Sequence, residues 1–180
     1  MKYFKFRGQL IRFLWNIVYL ILFRPSPRIF HFWRCFLLNI FGARIEYPCF
    51  IYPTAKIWCP WNLSMKKLSC IGDNVIIYNV DKIKIGSLST ISQYSNLCTA
   101  SHDYLDPSIN FTPELPLITS PITIGDKVWI TSDVFVAPGI TINNGCVVLA
   151  RSTVLSDLPA WKVVGGYPAK VIKDRILKRN

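Results

Sequence analysis

The chain has 180 residues, of which 51% are hydrophobic, and its 21 lysines and arginines outnumber its 10 aspartates and glutamates to give a net charge of +11. This composition excludes an intrinsically disordered chain, and the length suits one domain with a single core. The positive charge favours an anionic partner, namely nucleic acid, a membrane surface or a phosphate-rich cofactor, or else only aids solubility. The six cysteines form no C-x-x-C pair and the histidines do not cluster, so we expect no metal site and predict free thiols in a reducing cytoplasm.

Residues 1–44 are predicted to form an amphipathic helical segment. A fourteen-residue run from Leu10 to Phe23 contains only two strongly polar side chains. As a helix it would be about 21 Å long, shorter than the roughly 30 Å hydrocarbon core of a bilayer, so a spanning helix is not expected. No small-residue cleavage site follows it, which argues against a signal peptide. Two prolines then end the helix, and a second helix is predicted over about 29–41, ending at Gly42.

Two alternatives stay open for what covers these two helices. Basic flanks and interleaved tryptophan and phenylalanine are typical of helices that lie in a membrane interface, which predicts peripheral membrane contact through residues 1–41. The alternative is packing on the rest of the protein or on a neighbouring subunit, because so apolar a surface must be covered. Nucleic acid is not expected as a partner, since the basic residues are spread over both ends and form no stacking platform with aromatics.

Residues 45–172 show a period of six, which fits neither an α-helix nor an ordinary strand. Aliphatic residues recur at this spacing at Ile124, Ile130, Val136, Ile142, Val148 and Val154. The same spacing runs through the preceding part of the region with two shifts of phase. This pattern is the signature of a parallel β-helix, in which short strands are separated by corners. At about eighteen residues per triangular coil, we predict about five stacked coils in a prism about 25 Å tall.

The period fails between residues 103 and 123, a proline-containing segment that is predicted to leave the solenoid as a loop. Long loops on compact scaffolds are often functional. His102 directly precedes this loop and is the one histidine of the repeat region. A neutral imidazole can take the proton of a hydroxyl group as that group attacks a thioester, and such direct acyl transfer needs no covalent enzyme intermediate. His102 is therefore a candidate general base, with a purely structural histidine as the alternative.

Several motifs resemble those of the hexapeptide-repeat acyltransferases. IGDKVWI at 124–130, SHDY at 101–104 and VGGYPAKVI at 164–172 are similar to the galactoside and maltose acetyltransferases. LFRPSPR at 22–28 and WCPWNL at 58–63 resemble the colanic acid biosynthesis acetyltransferases, so the resemblance covers nearly the whole chain. It implies a mainly β, left-handed parallel β-helix, acetyl-CoA as acyl donor, and a homotrimer with active sites between subunits.

The resemblance also implies roles for single residues on the donor side. His102 falls on the general base of the family. Ser132 and Ala150 fall on positions whose backbone lines the channel for the pantetheine arm of CoA. Lys170 and Lys173 fall on two basic positions that contact CoA phosphates, where lysine can act as a point-charge partner.

On the acceptor side, the resemblance implies Asn74 or Asn79 as substrate-binding residues and Trp129 as a wall of the site. The alternatives are structural, because asparagine tolerates the left-handed backbone of a corner and tryptophan can pack between coils. The chain departs from the family at Leu155 and Ser156, where relatives carry a threonine and a lysine.

The predicted function is that of an O-acetyltransferase in surface-polysaccharide biosynthesis, which moves acetyl from acetyl-CoA to a hydroxyl of a sugar or lipid-linked glycan. The alternatives are an N-acetyltransferase of an amino sugar or small amine, and a non-catalytic β-helix scaffold. Residues 173–180 are predicted to form a basic C-terminal tail.

Overall fold

The computed structural model describes residues 6–103 and 116–177. Its N-terminal cap consists of α1 (Phe6–Val18), which continues into a π-helical turn (Tyr19–Phe23), and α2 (His31–Ile40). The cap lies on the first coil, where the buried Trp15 donates from Nε1 to the carbonyl oxygen of Ile57 at 2.8 Å. Among the described residues, no helix has the length and apolar character needed to cross a membrane.

The remainder is a left-handed parallel β-helix of five coils, as predicted, and each coil contributes one strand to each of three sheets. Sheet 1 contains β1 (Arg44–Ile45), β4 (Leu63–Met65), β7 (Ile83–Ile85), β12 (Ile122–Ile124) and β15 (Thr141–Ile142). Sheet 2 contains β2 (Phe50–Ile51), β5 (Cys70–Ile71), β8 (Thr90–Ile91), β13 (Trp129–Ile130) and β16 (Val147–Val148). Sheet 3 contains β3 (Lys56–Ile57), β6 (Ile76–Tyr78), β9 (Asn96–Cys98), β14 (Phe135–Val136) and β17 (Thr153–Val154).

We name the corners by the sheets they join: the first corner joins sheets 1 and 2, the second joins sheets 2 and 3, and the third joins sheets 3 and 1. The core consists of inward-facing aliphatic columns between them. One such column contains Ile51, Ile71, Ile91, Ile130 and Val148, all fully buried. A single coil could not bury such residues, so each coil depends on its neighbours for stability.

The coils differ in length, which explains the phase shifts in the sequence. Ile45 pairs with Met65 and Met65 with Ile85, so the first two coils have 20 residues each. Ile124 pairs with Ile142, which gives the 18 residues of the prediction. In the longer coils the additional two residues precede sheet 1, whose strands then carry two inward side chains in place of one, as at Leu63 and Met65.

A buried arginine closes the open end of sheet 2. The side chain of Arg34 is fully buried, and its Nε donates to the carbonyl oxygen of Ile51 at 2.5 Å. Its Nη atoms donate to Ser26 Oγ at 2.7 Å and to the carbonyl oxygens of Pro27 and Arg28 at 2.9 and 2.6 Å. Burial lowers the pKa of Arg34 from its ordinary value. The guanidinium thus joins the cap to the first coil through polar acceptors that carry no formal charge.

The interruption of the repeat begins as an antiparallel ribbon. Strands β10 (Ala100–His102) and β11 (Leu117–Thr119) pair with each other, and His102 lies opposite Leu117. The ribbon leaves the solenoid at the third corner. The coil resumes at Ile122, before the predicted end of the loop, and residues 104–115 of that prediction lie outside the described residues.

A hairpin completes the C-terminal end. Strand β18 (Lys162–Gly166) adds to sheet 2 beside β16, and β19 (Ala169–Asp174) runs antiparallel to it. The predicted tail therefore begins too early, because residue 173 belongs to β19. Arg175 is also anchored, since its Nη1 donates to the carbonyl oxygens of Lys127 and Gly145 at 2.7 and 2.9 Å. Residues 178–180 lie outside the described part of the chain.

Candidate active site

Trp129 lies on the outer surface of sheet 2. It precedes the buried Ile130 on β13, so its side chain points away from the core and is 49% exposed. Its Nε1 donates to Ser92 Oγ at 3.0 Å, which fixes the indole against the preceding coil. This position suits a residue that lines a binding site, because a hydrogen bond holds one edge of the ring while the side chain stays half exposed.

Ser132 and Ala150 lie at the second corner, on successive coils. The carbonyl oxygen of Ser132 accepts a hydrogen bond from the backbone N–H of Arg151 at 3.1 Å, which places the two predicted channel residues one coil apart. Adjacent strands of a sheet are about 4.8 Å apart, so this corner offers two layers of backbone along the prism axis. Asp133 and Arg151, which follow Ser132 and Ala150, have positive φ of 58° and 59° and form an exposed ion pair at 3.7 Å.

A β-bulge brings Lys170 and Lys173 to one side of the C-terminal hairpin. Residues three apart in a regular strand face opposite sides, but the register of β19 shifts, so that Lys170 lies opposite Gly165 and Lys173 opposite Val163. Val164 is fully buried, so its two neighbours on β18 face outward, and so do both lysines. The outer surface of sheet 2 therefore continues from Trp129 to two exposed lysines.

A polar cavity of about 540 Å³ opens beside this surface, between the cap and the second and third coils. Arg28 enters it from the linker between the helices, where its Nη2 lies 3.0 Å from Asp73 Oδ2 and its guanidinium lies 4.5 Å above the ring of Tyr52. Gln93 and Ser92 also line the cavity, and the contact of Ser92 with the indole of Trp129 makes cavity and wall continuous. No sequence signal joins Arg28 to Asp73, although Arg28 ends the LFRPSPR motif, because the two residues are distant in the chain.

The structure separates the two asparagines predicted on the acceptor side. Asn74 is exposed at the second corner beside Asp73, with φ of +56°, and its backbone N–H donates to Thr54 Oγ1 at 2.9 Å. Asn79 is fully buried at the third corner. Its Oδ1 accepts from the backbone N–H of Cys59 at 2.9 Å and its Nδ2 donates to the Cys59 carbonyl oxygen at 2.6 Å. Of the two alternatives for Asn79, this arrangement favours the structural one, because both ends of its amide are engaged in holding the coil.

His102 lies at a different corner from the other candidates. Its side chain is exposed on β10, in the ribbon that leaves the third corner, whereas Ser132 and Ala150 mark the second. Sheet 3 separates the two corners. The chain takes about six residues to pass from one corner to the next, a distance of about 20 Å. One chain alone therefore does not bring His102 together with the surface that contains Trp129 and the lysines.

Four of the six cysteines are poor nucleophiles. Burial raises the pKa of Cys35 to about 12 and those of Cys59, Cys70 and Cys146 to about 11. Such thiols carry little thiolate at neutral pH. Among the described residues, no group of three or more histidine, cysteine, aspartate or glutamate side chains could hold a metal ion.

Comparison with known proteins identifies the family. No protein-family model matches the chain. It is 46% identical over 163 residues to the "Putative colanic acid biosynthesis acetyltransferase WcaF" of Escherichia coli K12, a match of 91% of this chain and 86% of that protein. It is also 35% identical over 109 residues to the "Putative lipopolysaccharide biosynthesis O-acetyl transferase WbbJ" of the same strain, which is 57% of this chain and 56% of that relative.

The fold is shared with solved acetyltransferases. A hexapeptide-repeat containing acetyltransferase of Vibrio cholerae, solved as a complex with acetyl coenzyme A, superimposes with a TM-score of 0.77 at 26% identity, covering 93% of this chain and 88% of that one. With its left-handed β-helix and its extensive identity to WcaF, the chain belongs to the WcaF family of acetyltransferases.

Proposed function

We propose that the enzyme transfers the acetyl group of acetyl-CoA to a hydroxyl group of a sugar during the synthesis of a surface polysaccharide, with His102 as general base. The names of both relatives from Escherichia coli, which refer to colanic acid and lipopolysaccharide biosynthesis, support this class of acceptor. The observation that carries the proposal is the continuous outer surface of sheet 2, which combines a polar cavity, the Trp129 wall and two lysines on one side.

We propose one orientation for acetyl-CoA on this surface. The pantetheine arm would lie along the second corner beside the backbone of Ser132 and Ala150, and the anionic phosphates would lie near Lys170 and Lys173. Lysine and phosphate form charge-assisted hydrogen bonds, which are stronger than neutral ones. The acetyl group would then lie toward Trp129 and the polar cavity. The acetyl coenzyme A complex of the Vibrio cholerae relative supports this donor.

The polar cavity has the chemistry of a sugar site. A sugar ring combines an apolar face with several hydroxyl groups, and ligand sites for such molecules combine aromatic walls with a few directed polar groups. Tyr52 lines the cavity, and Trp129 stands beside it through its contact with Ser92. Arg28 is a donor, Asp73 is an acceptor and Gln93 is both, which suits hydroxyl groups that donate and accept.

We infer that two copies of the chain complete each site. His102 stands at the third corner of its own protomer, so it would have to meet the second corner of a neighbour for base and donor to come within reach. A closed ring of three identical protomers repeats this contact three times without leaving a free edge. The separation of the corners by a whole sheet supports this homotrimer.

The reaction then proceeds by direct transfer. An imidazole nitrogen of His102 takes the proton of the sugar hydroxyl as its oxygen attacks the thioester carbonyl carbon. Backbone N–H groups stabilise the negative charge on the carbonyl oxygen of the tetrahedral intermediate. The carbon–sulfur bond breaks, the CoA thiolate leaves and receives the proton from the imidazolium, and the acetyl ester of the sugar remains. Cytoplasmic placement of this chemistry stays a prediction from the cysteine pattern.

The product distinguishes this proposal from its alternatives. The enzyme would be incubated with carbonyl-¹³C acetyl-CoA and a panel of sugars, amino sugars and lipid-linked glycans, and the labelled carbonyl would be followed by NMR. We expect an ester signal that mild hydroxylamine removes. A hydroxylamine-resistant amide would establish an N-acetyltransferase instead. Binding of acetyl-CoA without any labelled product across the whole panel would favour the non-catalytic scaffold.

A further inference from the structure

The first helix of the cap is apolar on two opposite sides. Its inward side consists of the aromatic residues Trp15, Tyr19 and Phe23, which pack on one another with ring centroids 5.4 to 6.2 Å apart. The opposite side also consists of large apolar residues, each 39 to 64% exposed: Leu10, Phe13, Leu14, Ile17, Leu20 and Ile21. Their spacing of three and four residues places them in one stripe along the helix. Packing on the first coil therefore covers only one of the two apolar sides of this helix.

The second helix extends this surface. Phe32, Phe36 and Ile40 are spaced by four residues and are 64, 46 and 62% exposed. Trp33 connects the two helices, because its Nε1 donates to the carbonyl oxygen of Leu22 at 3.1 Å and its ring stacks on that of Phe36 at 5.7 Å. A groove of about 710 Å³ between them is lined by residues of the first helix, the linker and the second helix. We call this continuous surface the apolar face of the cap.

The charge of the cap is of one sign. Residues 1–45 contain eight lysines and arginines and no aspartate or glutamate. Arg34 is buried and Arg28 is paired with Asp73, but Arg24 is exposed at the end of the first helix. Two copies of this face would bring like charges together across a dry contact, which is unfavourable. An apolar interior beneath a layer of negative charge is the complementary partner, and an anionic bilayer has that arrangement.

We propose that the apolar face of the cap lies on an anionic membrane surface, with both helices in the plane of the interface. Exposed residues such as Phe13, Leu20 and Ile29 enter the boundary between headgroups and acyl chains, while Arg24 stays at the level of the phosphates. The side chain of Ile29 is 80% exposed, as expected for a residue that a lipid layer would cover. In the part of the chain that the structure describes, no helix is long and apolar enough to cross the bilayer, and the proposed contact is peripheral.

This position would place the polar cavity next to the membrane. Arg28 lines the cavity and is the immediate neighbour of Ile29 in the linker. A sugar attached to a membrane lipid could therefore reach the cavity while its lipid stays in the bilayer. This consequence rests on the proposed function, whereas the membrane contact itself does not.

Flotation of the full-length protein with vesicles tests the contact. Vesicles of phosphatidylcholine with and without phosphatidylglycerol would be compared for the wild type and for the triple variant Phe13→Gln, Leu20→Gln, Ile29→Gln. This variant removes apolar surface without adding charge, and none of its positions belongs to the proposed active site. The matched control is Ile176→Gln, since Ile176 is 85% exposed on a different part of the molecule. Circular dichroism would confirm that all variants are folded, and light scattering would give the lipid-free mass.

We expect the wild type and Ile176→Gln to float with phosphatidylglycerol vesicles, and the triple variant to bind at least about tenfold more weakly. Binding should weaken as salt is added and be weaker on phosphatidylcholine alone. Failure of the wild type to bind any vesicle, or equal binding by the triple variant, would overturn the proposal. A change in lipid-free mass of the triple variant would also overturn it, because a second copy would then cover the face. Acetyl transfer to a soluble sugar by the triple variant would remain at the wild-type level. Failure of the membrane proposal can therefore be distinguished from failure of the proposed acetyltransferase function.

Discussion

Lys170 and Lys173 face the same side of the C-terminal hairpin because the register of β19 shifts between them. Without the bulge, one of the two would point to the opposite side and only one could contact an anionic ligand on the outer surface of sheet 2. Bulges often redirect side chains near functional sites. The geometry thus links a local irregularity of the backbone to the proposed binding of CoA phosphates.

Replacement of either lysine should weaken donor binding. Lys170→Ala and Lys173→Ala should each raise the Kd for acetyl-CoA roughly tenfold, because each removes one charge-assisted contact with phosphate. Isothermal titration calorimetry would measure the Kd values. Lys162→Ala is the matched control on the same hairpin, since Lys162 pairs with Asp174. An equal loss of affinity in all three variants would show that general charge, and not these two positions, holds the donor.

Loss of the buried guanidinium should destabilise the fold. Arg34→Met removes the Nε donor to the carbonyl oxygen of Ile51, which then keeps only the contact with His31 Nδ1 at 2.9 Å, and the Nη2 donor to the carbonyl oxygen of Arg28. We expect the free energy of unfolding to fall by about 2–5 kcal/mol, measured by urea denaturation. The exposed Arg24→Met should change it by less than about 0.5 kcal/mol. Similar changes in the free energy of unfolding for the two variants would contradict the role of Arg34 in joining the cap to the first coil.

The polar cavity should control the acceptor and not the donor. Asp73→Asn preserves size but removes the charge that pairs with Arg28 at 3.0 Å. We expect the KM for the acceptor sugar to rise about tenfold, the usual effect of disturbing one charged hydrogen bond, with an unchanged Kd for acetyl-CoA. Steady-state kinetics and calorimetry would separate the two. A weaker affinity for acetyl-CoA with a normal acceptor KM would assign the cavity to the donor instead.

Three of the six thiols should be largely unreactive at mildly alkaline pH. Burial raises the pKa values of Cys59, Cys70 and Cys146 to about 11, so the folded protein holds these protons until the pH approaches that value. At pH 8 the thiolate fraction of each is on the order of one in a thousand, and alkylation by iodoacetamide should be far slower than in urea. Because the unfolded chain loses these protons at lower pH, stability should decrease as the pH rises above about 9. Rapid loss of activity on alkylation at pH 8 would indicate a reactive thiol in the site.

Much of the fold could be predicted from the sequence because one signal dominates it. A six-residue spacing of isoleucine and valine has few explanations besides a β-helix, and the phase shifts correspond to the longer coils before Met65 and Ile85. Contacts between distant segments were harder to predict. The closure of sheet 2 by Arg34 and the pairing of Arg28 with Asp73 depend on how the cap lies on the coils, which no local pattern encodes. The choice between Asn74 and Asn79 could not be made from the sequence, because an asparagine at a corner can hold either a ligand or its own backbone.

The role of His102 as general base is tested by the rate of acceptor-dependent CoA release, compared between the wild type and His102→Asn. Asparagine keeps a polar side chain of similar reach but cannot take up a proton at neutral pH. We expect kcat to fall by about 10²–10⁴, the usual contribution of a general base, while the Kd for acetyl-CoA is unchanged. A variant that turns over at the wild-type rate would contradict the assignment of His102 as the base.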